Sequence, residues 1–110
     1  MKIDCHCGAI IIDQTDYLPH KGHLIPDQEW FAIYDAIDEK VIAPLVGGRL
    51  DKETAYRRAC FFISNSARLM YQCRECGRLY IDDGQAKLQC YLPADGGTAR
   101  EILRSRESNS

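Results

Sequence analysis

Cys5-His6-Cys7-Gly8 and Cys73-Arg74-Glu75-Cys76-Gly77 hold four of the six cysteines in two tight clusters, each closed by a glycine, with 65 residues between Cys7 and Cys73. Thiolates one or two residues apart on a turn can meet a single ion. Zinc takes four such ligands in a tetrahedron, with nearby backbone N–H groups pointing at the sulfurs. A glycine after each pair suits a turn that a residue with a Cβ follows poorly. The chain is therefore expected to fold so that its two clusters meet, with Cys5, Cys7, Cys73 and Cys76 as ligands of one metal site.

A chain of 110 residues makes one domain, small enough for a metal cross-link to matter to its stability. The first residues lack the apolar core of a secretory signal, and no apolar run approaches the roughly 18 residues of a membrane span. A cytoplasmic setting follows as an expectation. There, six cysteines read as metal ligands and buried thiols rather than three disulfides. The net charge of −2 offers no global attraction to nucleic acid or to an anionic membrane. Its distribution is uneven: residues 1–40 carry eight acidic and three basic side chains, residues 41–110 eight and eleven. An acidic first half suits a basic partner.

Residues 9–13 are β-branched and apolar, which predicts a strand leading away from the first cluster. Residues 14–25 show no period and read as a long connection, with His20 and His23 as surface residues and His6 pointing away from the metal. Trp30, Ile33, Tyr34, Ile37 and Val41 recur at steps of three or four, predicting a helix capped by Asp27, ended near Ala43 by Pro44, and anchored in the core by Trp30. Asp51 caps a second helix whose stripe is Ala55, Tyr56, Ala59, Cys60 and Ile63. Three strands follow, at 68–72, 78–81 and 86–92, with Asp82-Asp83-Gly84 as the last turn and Cys90 as a small buried hydrophobe. The expected fold class is α+β. One domain spans 1–94 with a helical insertion at about 26–64, and a flexible tail covers 95–110, with a short helix around 98–104.

Two glycine-backed clusters, the second feeding a strand and hairpin, resemble a zinc ribbon over residues 3–13 and 68–92. This chain departs from the common form in its Cys-x-Cys first cluster and in the length between clusters. The resemblance implies a small antiparallel ribbon-like sheet and a structural Zn2+ held by the same four cysteines, with iron in a rubredoxin-like site as the rival metal. No phosphate loop, nucleophile elbow or helical metalloprotease motif occurs, so no catalytic residue is expected. In size, acidity and the segment 71–80 the chain is also similar to small bacterial immunity proteins of polymorphic toxins, which implies a protein partner met by occlusion. Asp35, Asp38, Glu39, Arg74 and Arg78 are the expected partner-binding residues. The alternative is a nucleic-acid-binding ribbon in transcription or translation, with Arg74 and Arg78 on phosphate and Tyr71 and Tyr80 stacking on bases.

Overall fold

A computed structural model of the chain describes residues 1–106 and is α+β. The chain divides into two compact units, the helical segment 24–67 and a β unit formed by 1–23 with the residues from 68 onward.

In the β unit, β1 (Lys2–Asp4) and β2 (Ile10–Ile12) pair antiparallel around the first cysteine cluster, with Ile3 opposite Ile11. A four-stranded sheet has the order β3-β4-β5-β6, formed by β3 (Lys21–Leu24), β4 (Arg68–Gln72), β5 (Leu79–Asp82) and β6 (Leu88–Tyr91). Tyr71 faces Tyr80 across β4 and β5, and Tyr80 faces Cys90 across β5 and β6. Alternation puts Tyr71 and Tyr80 inward, where they pack with Ile3 and Ile11 into one core that also contains Cys5 and Cys73. Cys90 and Leu88 pack half-buried against it, as the alternation of the last strand predicts.

Residues 14–25 are not all connection. They contain β3, which the sequence hides because Lys-Gly-His-Leu has neither β-branching nor alternation. What holds the approach to β3 is long-range: the backbone N–H of Gln72 donates to the His20 carbonyl at 2.9 Å. Asp82 and Asp83 form the predicted turn, their carboxylates accepting from the N–H groups of Gly84 and Gln85. Residues of the expected flexible tail bind buried Gln72, whose amide donates to the Ala99 carbonyl and whose Oε1 accepts from the Ile102 N–H, both at 2.9 Å. Residues 107–110 of that tail lie outside the described residues.

The helical unit contains α1 (Asp27–Ile37), a π-helical turn (Asp38–Ile42), the short α2 (Ala43–Val46) and α3 (Lys52–Ser66). Asp51 caps α3 as expected, accepting from the Thr54 N–H at 3.2 Å. Three expectations for the first helix need correction. Pro26, not Asp27, stands at the N-cap, and Asp27 is the first helical residue with no side-chain cap bond. Pro44 does not stop the helical path. A proline cannot donate to the carbonyl four residues back, and that carbonyl, on Lys40, instead accepts from Arg58 Nη1 at 2.9 Å. Ile33, Val41 and Ala55 are the buried apolar residues described in this unit, whereas Trp30, expected in the core, is 40% exposed.

Candidate metal centre

Each cluster is shaped by the same backbone logic. In the first, the Cys5 N–H donates to the Ala9 carbonyl and the Gly8 N–H to the Cys5 carbonyl, both at 2.9 Å. In the second, the Cys73 N–H donates to the Arg78 carbonyl at 2.9 Å and the Gly77 N–H to the Cys73 carbonyl at 2.8 Å. The second loop is one residue longer, which absorbs the extra residue between its cysteines. Gly8 and Gly77 close these turns at φ +97° and +83°, left-handed conformations that only glycine enters without strain.

The turns aim four sulfurs at one point. Cys5 and Cys76 Sγ lie 3.5 Å apart, Cys7 and Cys73 Sγ 3.7 Å apart, and all four fall within 4.8 Å of one another. A tetrahedron with metal–sulfur bonds of about 2.3 Å places its sulfurs about 3.8 Å apart. The arrangement therefore fits a four-thiolate ion. Cys5 and Cys73 are buried, Cys76 is half-buried and Cys7 is at the surface, so the site sits at the edge of the core.

Backbone amides support the thiolates at equivalent places. The Cys7 N–H serves the Cys5 sulfur, the Ala9 N–H serves Cys7, the Cys76 and Glu75 N–H groups serve Cys73, and the Arg78 N–H serves Cys76. Burial opposes ionisation of Cys5, but the Cys7 amide, the Tyr80 hydroxyl and the neighbouring thiols outweigh it and bring Cys5 down to about 6. Burial pushes Cys73 up to about 12 against the pull of its own amides. Cys76 is lowered: burial works against it, and the Arg78 backbone and guanidinium overcome that. Cys7 is raised despite the Ala9 amide, because Cys5 competes with it for charge. Sulfurs this close share protons, and metal binding to such a set releases them.

Arg78 Nη1 donates to Cys76 Sγ at 3.2 Å. Four thiolates around a dication leave an excess of negative charge, and a guanidinium in contact with one sulfur offsets part of it. Tyr80 supports the first cluster from within the core: its hydroxyl accepts from the His6 N–H at 3.0 Å and favours the Cys5 thiolate. The sequence gives no signal for the Tyr80–His6 bond, because it spans 74 residues.

Residues 1–95 match the family model described as Domain of unknown function (DUF8617). The chain belongs to this family. No curated protein and no solved structure matches it. The match embraces both cysteine clusters and the helical segment, so in this DUF8617 chain the metal-binding set lies wholly within the family region.

The remaining candidates are dispersed. His20 is buried in the β unit with Nε2 bonded to the Ile12 carbonyl at 2.8 Å, and His23 is exposed. Neither joins the sulfurs; among the described residues the four cysteines are the one cluster able to hold a metal. Asp35, Asp38 and Glu39 are exposed on the helical unit, and Arg74 is exposed beside the second cluster. Arg78 is half-buried and bound to Cys76. No helix among the described residues is long and apolar enough to cross a membrane.

Proposed function

We propose that the chain is a non-catalytic, zinc-stabilised binding protein of the cytoplasm, and that it works by occluding a basic protein partner, as an immunity protein occludes its toxin. The observation that carries this reading is the closed sulfur tetrahedron. Four protein ligands fill the coordination sphere of zinc and leave no position for a water nucleophile, so the ion serves the fold. Zinc is the proposed metal and iron its rival. Elemental analysis of the purified chain is expected to give one zinc per chain, and the red colour of a ferric tetrathiolate would reverse the choice.

The acidic segment supports the partner class. Residues 27–42 carry Asp27, Glu29, Asp35, Asp38 and Glu39 against Lys40 alone. Carboxylates on a helical scaffold suit a basic cleft, where charge complementarity speeds association and selects the partner. The nucleic-acid alternative is less well supported, since Tyr71 and Tyr80, the side chains that would stack on bases, are buried.

The test is affinity capture of the tagged, zinc-loaded chain from its host, with and without nuclease. A stoichiometric protein that survives nuclease, leaves at high salt and is lost with the Asp35→Lys, Asp38→Lys, Glu39→Lys variant is expected. Loss of all partners to nuclease, or a partner indifferent to that variant, would overturn the reading.

A further inference from the structure

Residues 93–104 form a strap fastened across the second cysteine loop. The strap is built from two local turns. Asp95 closes the first, its carbonyl accepting from the Thr98 N–H at 3.3 Å and its carboxylate from the Gly97 N–H at 2.8 Å. The second runs from Glu101 to Arg104, whose N–H donates to the Glu101 carbonyl at 3.2 Å and whose guanidinium pairs with the Glu101 carboxylate at 3.0 Å. These turns leave the Ala99 carbonyl and the Ile102 N–H to a partner outside the segment.

Gln72 is that partner. It stands immediately before Cys73 and is fully buried. Its amide nitrogen donates to the Gly77 carbonyl at the close of the cysteine loop, at 3.2 Å, and to the Ala99 carbonyl at 2.9 Å, while its Oε1 accepts from the Ile102 N–H at 2.9 Å. One side chain thus ties the end of the loop to the strap at two points. Undocking the strap breaks both of those bonds and leaves the remaining one, to Gly77, to compete with water. Packing follows the same line. A Cβ on Gly77 would lie 3.5 Å from Pro93 Cγ and 3.6 Å from Arg100 Cγ, so the strap rests on the loop. A Cβ on Gly22 would lie 3.2 Å from both Leu103 Cδ2 and Met70 Cγ, closer than ordinary contact. The glycine in β3 therefore makes room for Leu103 against the sheet.

Between strap and loop lies a cavity of about 290 Å³, with Cys76 and Arg78 on one side and Pro93, Thr98 and Arg100 on the other. Cys76 therefore borders a solvent space whose far wall is the strap. Release of an ion held by four cysteines needs both loops to let go, so a fastener on the second loop acts on the whole site although Cys7 lies at the surface. We propose that the strap is part of the metal centre: docked through Gln72, it holds the Cys73–Cys76 loop closed and slows exchange of the ion with outside ligands. Gln72 is a positioning residue, not a ligand. This inference rests on the four cysteines holding a metal, and on neither the choice of zinc over iron nor the partner reading.

The test is the rate at which the full zinc-loaded chain yields its metal to an excess of a chromophoric chelator. Ile102 takes the second position of the 101–104 turn, which accommodates proline, and its side chain is exposed. Ile102→Pro therefore removes the donor to Gln72 and little else. It is expected to speed release about tenfold, the effect of one lost hydrogen bond to a buried group. Leu103→Asp, which lifts the strap through a different contact, should do the same. Two controls should stay within about twofold of the unaltered chain: Ile102→Ala, which keeps the N–H, and Asp13→Asn, which weakens the same unit through Tyr71 and away from the second loop. Unchanged release from Ile102→Pro, or equal acceleration in Asp13→Asn, would overturn the proposal. So would an Ile102 N–H that exchanges freely with solvent deuterium in the unaltered zinc-loaded chain. A purified chain that holds no metal would overturn the metal reading as well, whereas a loaded chain whose release is indifferent to the strap overturns the strap alone.

Discussion

Asp13 collects two side-chain donors at the end of β2: the Tyr71 hydroxyl at 2.6 Å and Lys21 Nζ at 3.0 Å. Tyr71 is fully buried, so its hydroxyl has no water to turn to, and the bond to a carboxylate is of the stronger, charge-assisted kind. Tyr71, ahead of desolvation and of Lys21, holds the Asp13 carboxyl below its ordinary value, and burial with Asp13 holds the Tyr71 phenol above its own. Asp13→Asn is expected to cost about 1.5–3 kcal/mol in urea unfolding at neutral pH. The pH dependence has two limbs. A depressed carboxyl stabilises fully above its unfolded pKa of about 3.9, and that stabilisation is lost as pH falls through the lower folded value. A raised phenol stabilises fully below about 10, and that stabilisation is lost as pH rises through the higher folded value. The difference in unfolding free energy between wild type and Asp13→Asn should therefore stay level between these limits and shrink below about pH 3.9, while acid loss of metal affects both chains alike. A difference that grows on acidification would refute the assignment. None of this partnership shows in the sequence, where Asp13 reads as the end of a strand. The cysteines are legible because their spacing is a local signal, while the Tyr80 contact to His6 and the Tyr71 contact to Asp13 are set by how distant strands align.

The cysteine loops, the hairpin turn and the interrupted helix differ in how far local chemistry decides them. Gly77 sits at φ +83° in the second loop, so Gly77→Ala forces a Cβ into a conformation costing about 1–2 kcal/mol. Its nearest neighbour would be Pro93 Cγ at an ordinary 3.5 Å, so the cost is backbone strain, not collision. The expected result is a lower melting temperature and weaker metal retention in a chelator competition. Gly96→Ala is the control: a Cβ there meets nothing within 4 Å, φ is not positive, and stability should be unchanged. Equal losses in the two variants would show that φ is not the cause. Glycine after cysteine, and Asp82-Asp83-Gly84, were readable because such turns depend on the residues that form them. β3 and the passage through Pro44 were not. The segment leading into β3 is fixed by the Gln72 amide and the lost helical bond by the Arg58 guanidinium, each supplied from another element. Trp30 was misplaced for a related reason: its period correctly marks a helix face, but period alone does not say whether that face meets the chain's own core or stays open.

Across the whole molecule, the metal-binding set joins parts of the β unit that local forces would leave apart. β1 and β2 lie before the helical segment and β4 to β6 after it, and their shared core is small: Ile3, Ile11, Tyr71 and Tyr80, with Cys5 and Cys73 among them. Without a cross-link, bringing Cys7 to Cys73 means closing a loop of 65 intervening residues before any of that core forms. Structural zinc sites supply about 10 kcal/mol or more of apparent binding energy at neutral pH, which is comparable to the total stability of a small domain. Segment 24–67 contains none of the four ligands, and its bonds are mainly local helical ones between residues a few positions apart. Chelation should therefore act unevenly. After treatment with a strong chelator under reducing conditions, hydrogen exchange read by mass spectrometry is expected to show fragments covering β4 and β5 losing their protection. Fragments covering α3 should keep a larger share, and restoring zinc should return the strands to their former rates. Uniform loss along the chain would mean that the helical segment depends on the metal as much as the sheet does. Retention in β4 and β5 would mean that the apolar core around Tyr71 and Tyr80 holds without it, and would remove the structural role assigned to the four cysteines.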